Sequence, residues 1–444
     1  MKVPAHQRFT LANGARLILI PRHDVPMIAF EAVVRGGATL DRRAQAGVAS
    51  LTAELLTRGS GERDALAFAQ GVEDAGGSFE AEAHSEAVLI HGQFLAEDRE
   101  LMLTLLADAL QRPHLDADQF DTLRTRRIEF IRAAKDSEPQ SLIGAYGRSM
   151  LFAQHAYGAP ISGSESTLAS VRREHLLKFY QQQFGADRLT LVFAGDFDPD
   201  ALREAASAHF ASWDPAPALL GSLEASRRVR GRRVLLIDAP DSSQTYFWIG
   251  NVGVARSYAP RAALDITNTA FGGSFGSMLV QALRVKTGLT YSVSSGFRRG
   301  SVPGEFAISS FTQTESTCAA LEIALQTLDS LKHDGISAAG LSSARNYILG
   351  QYPLSLETGA DWAAALAELD LYRLSPGYIE DYGPELSRVD AAQCRHVVDT
   401  AFPSAEDVDI VLIGDARRIR QDAEGFGPVS EKSLEAPDFE AAVR

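Results

Sequence analysis

Two residues with complementary chemistry, Arg284 and Tyr291, lie seven positions apart in the second half of the chain. A guanidinium is always charged and a phenol donates a hydrogen bond, so the two side chains, if they converge, offer fixed donors to a carbonyl oxygen or an oxyanion. The alternative is structural. Leu289, Tyr291 and Val293 would share one face of a strand, which would make Tyr291 a core residue and Arg284 a solvated helix residue.

The stretch from Phe271 to Val293 must position this pair, and its pattern predicts a loop, a helix and a strand. Its loop is marked by glycines, which permit positive φ and close approach to another chain: Gly272, Gly273 and Gly276.

Ser277 is predicted to cap the helix that follows, and Gly288 to end it after the basic residues Arg284 and Lys286. A strand over Leu289 to Val293 would then carry Tyr291 back beside the end of the helix.

This stretch resembles the second-domain segment of the pitrilysin-type (insulinase) zinc peptidases, in which a glycine-rich loop precedes an Arg and a Tyr with the spacing of Arg284 and Tyr291. The resemblance implies that this pair binds the substrate backbone near the scissile bond, opposite a zinc ion held by the first domain. It also implies that the loop contributes to substrate binding through Gly272, Gly273, Gly276 and Ser277.

Composition excludes some classes of function. The 444 residues are 45% hydrophobic and 23% charged, which is typical of globular proteins, and no run is apolar enough to span a membrane. The net charge of -14 argues against nucleic acid as a partner and favours a basic partner or substrate. The predicted partners therefore exclude nucleic acid.

Neither the cysteines nor the start of the chain identify a compartment. Cys318 and Cys394 both lie in helical patterns, so we predict buried thiols rather than a disulfide. The first 21 residues lack an apolar signal core, so no export signal is predicted in the printed chain.

Helices and strands are mixed in each half of the chain, and the halves repeat one another. RLILIP at Arg16 matches RVLLID at Arg233 with an offset of 217, and LTLVFAGD ending at Asp196 matches VDIVLIGD ending at Asp415 with an offset of 219. We therefore predict the α+β class, with two duplicated domains that each consist of a mostly antiparallel sheet packed with helices. The resemblance implies the same fold, that of the mitochondrial processing peptidase.

The predicted boundaries follow a stretch rich in proline, glycine and small residues near the middle of the chain. We predict an N-terminal domain over 1–213, a linker over 214–226 and a C-terminal domain over 227–444.

The first domain lacks the zinc motif that the resemblance implies. A His-x-x-Glu-His helix places two imidazoles one turn apart as zinc ligands, with a glutamate that activates the bound water. The corresponding residues here are Ser50, Ala53 and Glu54, and the position of the further glutamate ligand is Ile131. Glu129 lies about 200° round the helix from Ile131, which makes it a poor substitute.

Other residues do not restore the site. Glu80 stands where the family has a substrate-binding Asn. His84 and His91 lie near each other in the chain but have opposite strand parity, and the sequence VRREH ending at His175 has valine in place of the first histidine. We predict that this chain holds no zinc and no other cofactor.

The resemblance therefore implies a non-catalytic subunit of a heterodimeric peptidase, which supplies Arg284 and Tyr291 to a homologous partner chain that holds the zinc and hydrolyses peptides. The chain alone would be inactive. The rival hypothesis is a scaffold or assembly protein with the peptidase fold and no proteolytic role. The substrate, the compartment and the identity of the partner do not follow from the sequence.

Overall fold

The computed structural model describes residues 1–441, so the last three residues of the predicted C-terminal domain, 442–444, lie outside the described residues. The described chain forms two compact units. The first comprises Met1–Glu129, Ala159–Ser222 and Pro353–Ile379, and the second comprises Phe130–Gly158, Leu223–Tyr352 and Glu380–Arg444. Each unit thus includes a segment from the opposite half of the chain, and residues 214–226 contain no helix or strand.

The first unit is built on a six-stranded sheet and a small two-stranded ribbon. Its strands are β1 (Gln7–Thr10), β2 (Arg16–Pro21), β3 (Met27–Arg35), β4 (Gly59–Ser60), β5 (Arg63–Asp64), β6 (Ser78–Ala83), β7 (Ala87–Leu95) and β8 (Leu189–Gly195). The order in the main sheet is β1-β2-β8-β3-β7-β6, and every neighbouring pair is antiparallel except β2 with β8.

The helices of the first half of the chain are α1 (Val48–Leu55), α2 (Ala65–Asp74), α3 (Arg99–Gln111), α4 (Ala117–Ser137), α5 (Ile143–Phe152), α6 (Glu165–Ser170), α7 (Arg173–Gln183) and α8 (Pro199–Phe210). On one face of the first sheet, Phe30 of β3 contacts Phe79 of β6, which in turn contacts Phe68 of α2. Phe30 and Phe68 are buried, so these aromatic contacts belong to the core of the first unit.

The second unit repeats this plan. Its strands are β9 (Arg233–Asp238), β10 (Gln244–Val252), β11 (Val293–Phe297), β12 (Glu305–Gln313), β13 (Asp409–Gly414) and β14 (Val429–Ser433), in the order β11-β12-β10-β13-β9-β14. The repeated sequences occupy equivalent places, because β9 pairs in parallel with β13 as β2 pairs with β8. The predicted α+β class with two duplicated, mostly antiparallel sheets is therefore confirmed.

The helices of the second half are α9 (Arg261–Asn268), α10 (Met278–Val280), α11 (Thr317–Asp334), α12 (Ala338–Gln351), α13 (Gly359–Leu371), α14 (Gly377–Glu380), α15 (Tyr382–Arg388), α16 (Ala391–Thr400) and α17 (Ala416–Glu424). Two segments have π-helical hydrogen bonding, Thr269–Gly273 and Gln281–Lys286.

The second face of each sheet is covered by a helix from a distant part of the chain. In the first unit, α13 packs against β3 and β8, where Asp370 pairs with Arg16 and accepts a hydrogen bond from Thr190. In the second unit, α5 packs against β10 and β13, and a Cβ atom on Gly147 would lie 2.6 Å from the Trp248 ring. Gly147 therefore allows α5 to approach the sheet closely.

Candidate functional site

The segment that carries Arg284 and Tyr291 forms a helix and a turn in the second unit. The Ser277 hydroxyl accepts the backbone N–H of Val280 at the start of the helix, as predicted. At its other end Gly288 has φ 65° and donates its N–H to the Arg284 carbonyl at 3.1 Å, so the predicted stop is also confirmed. Between these ends the helix continues as the π-helical segment Gln281–Lys286, a geometry that is frequent at functional sites.

The prediction of a strand over Leu289 to Val293 was wrong, since β11 begins only at Val293. The Thr290 hydroxyl donates to the Ser292 carbonyl at 2.9 Å and accepts the Ser292 N–H at 3.2 Å. This local turn competes with the hydrogen bonds of a strand. Tyr291 consequently lies on a turn and is 73% exposed, which excludes the alternative of a core tyrosine.

The turn brings Tyr291 beside Arg284. The Arg284 guanidinium carbon lies 4.6 Å from the centre of the Tyr291 ring and 5.0 Å from the centre of the Phe275 ring. Phe275 comes from the glycine-rich loop and is 68% exposed. Cation–π contacts of this kind hold a guanidinium in place without using its N–H donors. We call Phe275, Arg284 and Tyr291 the aromatic–arginine cluster.

The glycine-rich loop differs in part from the prediction. Glycine permits positive φ and close approach, and none of the three adopts positive φ. Gly272 is instead required by space, because a Cβ atom there would lie 2.4 Å from the Ser295 hydroxyl oxygen. Gly272 and Ser277 are buried, whereas Gly273 and Gly276 are exposed.

The loop is held against β11 by two hydrogen bonds between Asn268 and Ser295. The Ser295 hydroxyl donates to the Asn268 side-chain oxygen at 2.8 Å, and the Asn268 amide donates to the Ser295 carbonyl at 3.1 Å. A satisfied polar pair at this place fixes the loop that carries Phe275 relative to the strand that follows Tyr291.

In the first unit, an arginine side chain contacts two of the residues at the zinc-motif positions. Arg127 of α4 donates to the Ser50 hydroxyl and to the Glu54 carboxylate, which are the first and last motif positions on α1. Its side chain is only 17% exposed. The guanidinium supplies a positive charge at this place and occupies oxygen atoms of Ser50 and Glu54 that a metal ion would need.

The start of α1 is stabilised by a buried carboxyl group. Asp41 accepts the N–H groups of Gly47 and Ala49, each at 2.9 Å. Burial raises the pKa of Asp41 to about 7, although these hydrogen bonds act in the opposite direction.

The remaining candidates do not come together as metal ligands. Ile131 is buried and Glu129 is exposed on α4. The His84 ring lies 2.8 Å from Glu82, and His91 lies 3.7 Å from Glu80. Within residues 1–441, no three His, Cys, Asp or Glu side chains are placed to hold a metal ion together. The same residues contain no helix with the length and apolar character of a membrane span.

Two participants in these arrangements were missed by the sequence analysis, Phe275 and Arg127. A large apolar residue between glycines in an otherwise small and polar loop was the available signal for Phe275. Arg127 lies four residues before Ile131 on the same helix, but its pairing with α1 had no sequence signal.

Comparison with protein-family models gives two matches that follow one another along the chain. Residues 19–165 match the model of insulinase, peptidase family M16, and residues 170–348 match the model of the peptidase M16 inactive domain.

Several curated bacterial proteins are similar over most of their length. An uncharacterized zinc protease of Mycobacterium leprae is 26% identical over 369 residues, which cover 82% of each chain. A non-peptidase homolog, YmxG, of Helicobacter pylori is 24% identical over 358 residues, which cover 80% of this chain and 81% of that protein.

Solved structures share the fold. The peptidase M16 inactive domain from Pseudomonas fluorescens superposes with a TM-score of 0.86 at 24% identity, covering 97% of this chain and 100% of that one. A protease from Helicobacter pylori gives a TM-score of 0.85 at 18% identity, with 92% and 99% covered.

Proposed function

Because this chain belongs to peptidase family M16, we propose that it is the non-catalytic subunit of a two-chain zinc peptidase. In this proposal it supplies Arg284, Tyr291 and the glycine-rich loop to a homologous partner chain that carries an intact His-x-x-Glu-His motif. The partner holds the zinc and the complex hydrolyses peptides.

The observation that carries the proposal is the exposed pairing of Arg284 with Tyr291. The guanidinium carbon of the half-buried Arg284 lies 4.6 Å from the ring centre of the exposed Tyr291, and together the two side chains present hydrogen-bond donors to a ligand outside this chain. Such preorganised donors stabilise the charge that develops on a carbonyl oxygen during peptide hydrolysis. A merely structural pair would be buried or paired with an acid.

The residues at the zinc-motif positions of the first unit support the assignment of the zinc to a partner. Ser50 and Glu54 are already hydrogen bonded to Arg127, and Ala53 has no carboxylate that could activate water. The chain alone would therefore lack the means to activate water. The name of the Helicobacter pylori relative, a non-peptidase homolog, agrees with this proposal.

The proposed substrate is an extended peptide that adds a strand to a sheet edge. β6 is an end strand of the first sheet, and its side chains Glu80 and Glu82 are exposed. Together with the net charge of -14, this edge favours peptides that carry basic side chains.

The decisive experiment searches the genes beside this one for a paralogue with the intact motif, and co-expresses and co-purifies its product with this chain. We expect Tyr291→Phe and Arg284→Ala to preserve the complex but to lower kcat by roughly a hundredfold, as expected for loss of one preorganised donor. Tyr347→Phe is the matched control, since Tyr347 is also an exposed tyrosine of the second unit and should tolerate the loss of its hydroxyl.

Gel filtration with the partner confirms that each variant still pairs. If both variants form the complex and cleave peptides at the parent rate, the catalytic assignment fails and the scaffold function is favoured instead.

A further inference from the structure

The segment around the aromatic–arginine cluster has a charge opposite to that of the whole chain. Residues 266–304 contain four basic residues and no Asp or Glu, although the chain has 57 acidic and 43 basic residues. Two of the basic residues pair with acids at the limits of this segment, Arg298 with Glu305 and Arg299 with Asp265. The local excess of positive charge therefore comes from Arg284 and Lys286.

Arg284 keeps its donors available. Among residues 1–441 its guanidinium makes no hydrogen bond or ion pair and contacts the rings of Phe275 and Tyr291. Lys286 also lacks an acidic partner among these residues and is exposed. An arginine in a protein with an excess of acids usually finds a carboxylate, so this one is open to an anion from outside the chain.

The chemistry of the cluster selects the kind of anion. A guanidinium presents two parallel N–H groups at the spacing of the two oxygens of a carboxylate, and the contacts with two rings restrict how it can turn. The Tyr291 hydroxyl adds a third donor nearby.

We infer that the aromatic–arginine cluster binds the C-terminal carboxylate of a peptide. This inference rests on the proposed function, because it takes a peptide as the ligand of this site. According to this inference, the subunit recognises the C-terminal end of the substrate or the newly formed C-terminal end of a cleaved product.

An internal peptide carbonyl is a weaker match to the same donors. It is neutral and offers one oxygen. It therefore accepts only one of the two parallel N–H groups of the guanidinium, and it lacks the charge attraction to Arg284 and Lys286. We therefore expect a terminal carboxylate to bind about tenfold more tightly than the corresponding amide, from the greater strength of hydrogen bonds to charged acceptors.

The test compares two N-acetylated octapeptides of one sequence without acidic side chains, one with a free C-terminal carboxylate and one with a C-terminal amide. Each is titrated into the full chain, and binding is followed through the Arg284 side-chain Nε–Hε signal in NMR, assigned from its loss in Arg284→Lys. Acetate alone, titrated over the same concentrations, reports binding of the carboxylate without the peptide.

We expect the acid peptide to bind about tenfold more tightly than the amide and more tightly than acetate. Arg284→Lys keeps the charge but loses the fork, so it should reduce the preference for the acid peptide to below about threefold, as measured by isothermal titration calorimetry because this variant has no Arg284 signal. Arg126→Lys, at an exposed arginine of α4, is the matched control and should leave the preference unchanged.

The outcomes separate this inference from the proposed function. If acid and amide peptides bind equally through Arg284, peptide binding stands and the carboxylate inference is overturned. If acetate binds as tightly as the acid peptide, the peptide contributes nothing and the inference is also overturned. If neither peptide shifts the Arg284 signal, both the inference and the proposed peptide-binding role of this residue fail.

Discussion

Glu31 provides a quantitative test of the structure of the first unit. It lies in the middle of β3, directly opposite His91 on β7, which in turn lies opposite Glu80 on β6. Glu31 is only 8% exposed, and among residues 1–441 its carboxyl group makes no hydrogen bond or ion pair. Burial, assisted by the nearby Glu82 carboxylate, raises the pKa of Glu31 to about 8.

This pKa has a definite consequence for stability. The ordinary value is 4.5, so the folded state binds the Glu31 proton more tightly than the unfolded state does. The contribution to stability is therefore fully present below pH 4.5, declines as pH rises towards 8 and is constant above that. At about 1.4 kcal/mol for each pH unit, the total loss is roughly 5 kcal/mol.

Glu31→Gln removes this dependence because the amide has the same shape and does not ionise. We expect the variant to match the parent near pH 5 and to exceed it at pH 9 by roughly 5 kcal/mol in the free energy of unfolding of the first unit. With a urea dependence of about 3 kcal/mol per M, this difference is a shift of about 1.5 M in the transition midpoint.

The assay must follow each unit separately, because a chain with two units does not unfold in a single two-state step. Incorporated 5-fluorotryptophan gives one 19F signal for Trp362 on α13 in the first unit and another for Trp248 on β10 in the second. The Trp248 midpoint is the internal control and should not shift. Glu80→Gln is the matched control variant for Glu31→Gln, because Glu80 lies at the exposed end of the row formed by Glu31, His91 and Glu80. If the difference in free energy of unfolding between Glu31→Gln and the parent is the same at pH 5 and pH 9, Glu31 is not a buried carboxyl group without a partner.

Two further predictions concern the zinc-motif positions of the first unit. The purified chain should contain no stoichiometric zinc by elemental analysis and should cleave no peptide, whereas one tightly bound zinc per chain, lost with activity on chelation, would contradict the non-catalytic assignment. Ser50→His, Glu54→His and Ile131→Glu together should bind zinc only when Arg127→Ala is added, since the guanidinium otherwise competes for the site. Equal zinc affinity with and without Arg127 would show that this arginine does not block the site.

Local sequence patterns were sufficient for most of the fold. The repeated RLILIP and RVLLID sequences predicted the duplication that the two strand orders confirm. The positions of α5 and α13 could not be predicted in this way. An amphipathic pattern shows that a helix has a buried face but does not show which sheet covers it.

The site was predictable where it depends on local chemistry and not where it depends on long-range contacts. Ser277 and Gly288 act through groups three or four residues away, and both were predicted correctly. The strand at Leu289 failed because the Thr290 hydroxyl hydrogen bonds locally with Ser292, an outcome that strand propensity does not include. Arg127 and Glu54 are 73 residues apart, and only the folded chain shows that they meet.

The contrast between two arginines explains how this chain would act with a partner and not alone. Arg127 donates its hydrogen bonds inside the chain, to Ser50 and Glu54 of α1. The Arg284 guanidinium packs against the Phe275 and Tyr291 rings and donates no hydrogen bond to residues 1–441. Desolvating a charge without a partner is costly, so a ligand that covers Arg284 must bring an acceptor to it. A peptide end or a developing oxyanion meets that requirement, whereas an apolar docking partner does not, and for this reason the free guanidinium favours a substrate-binding role over a purely structural one.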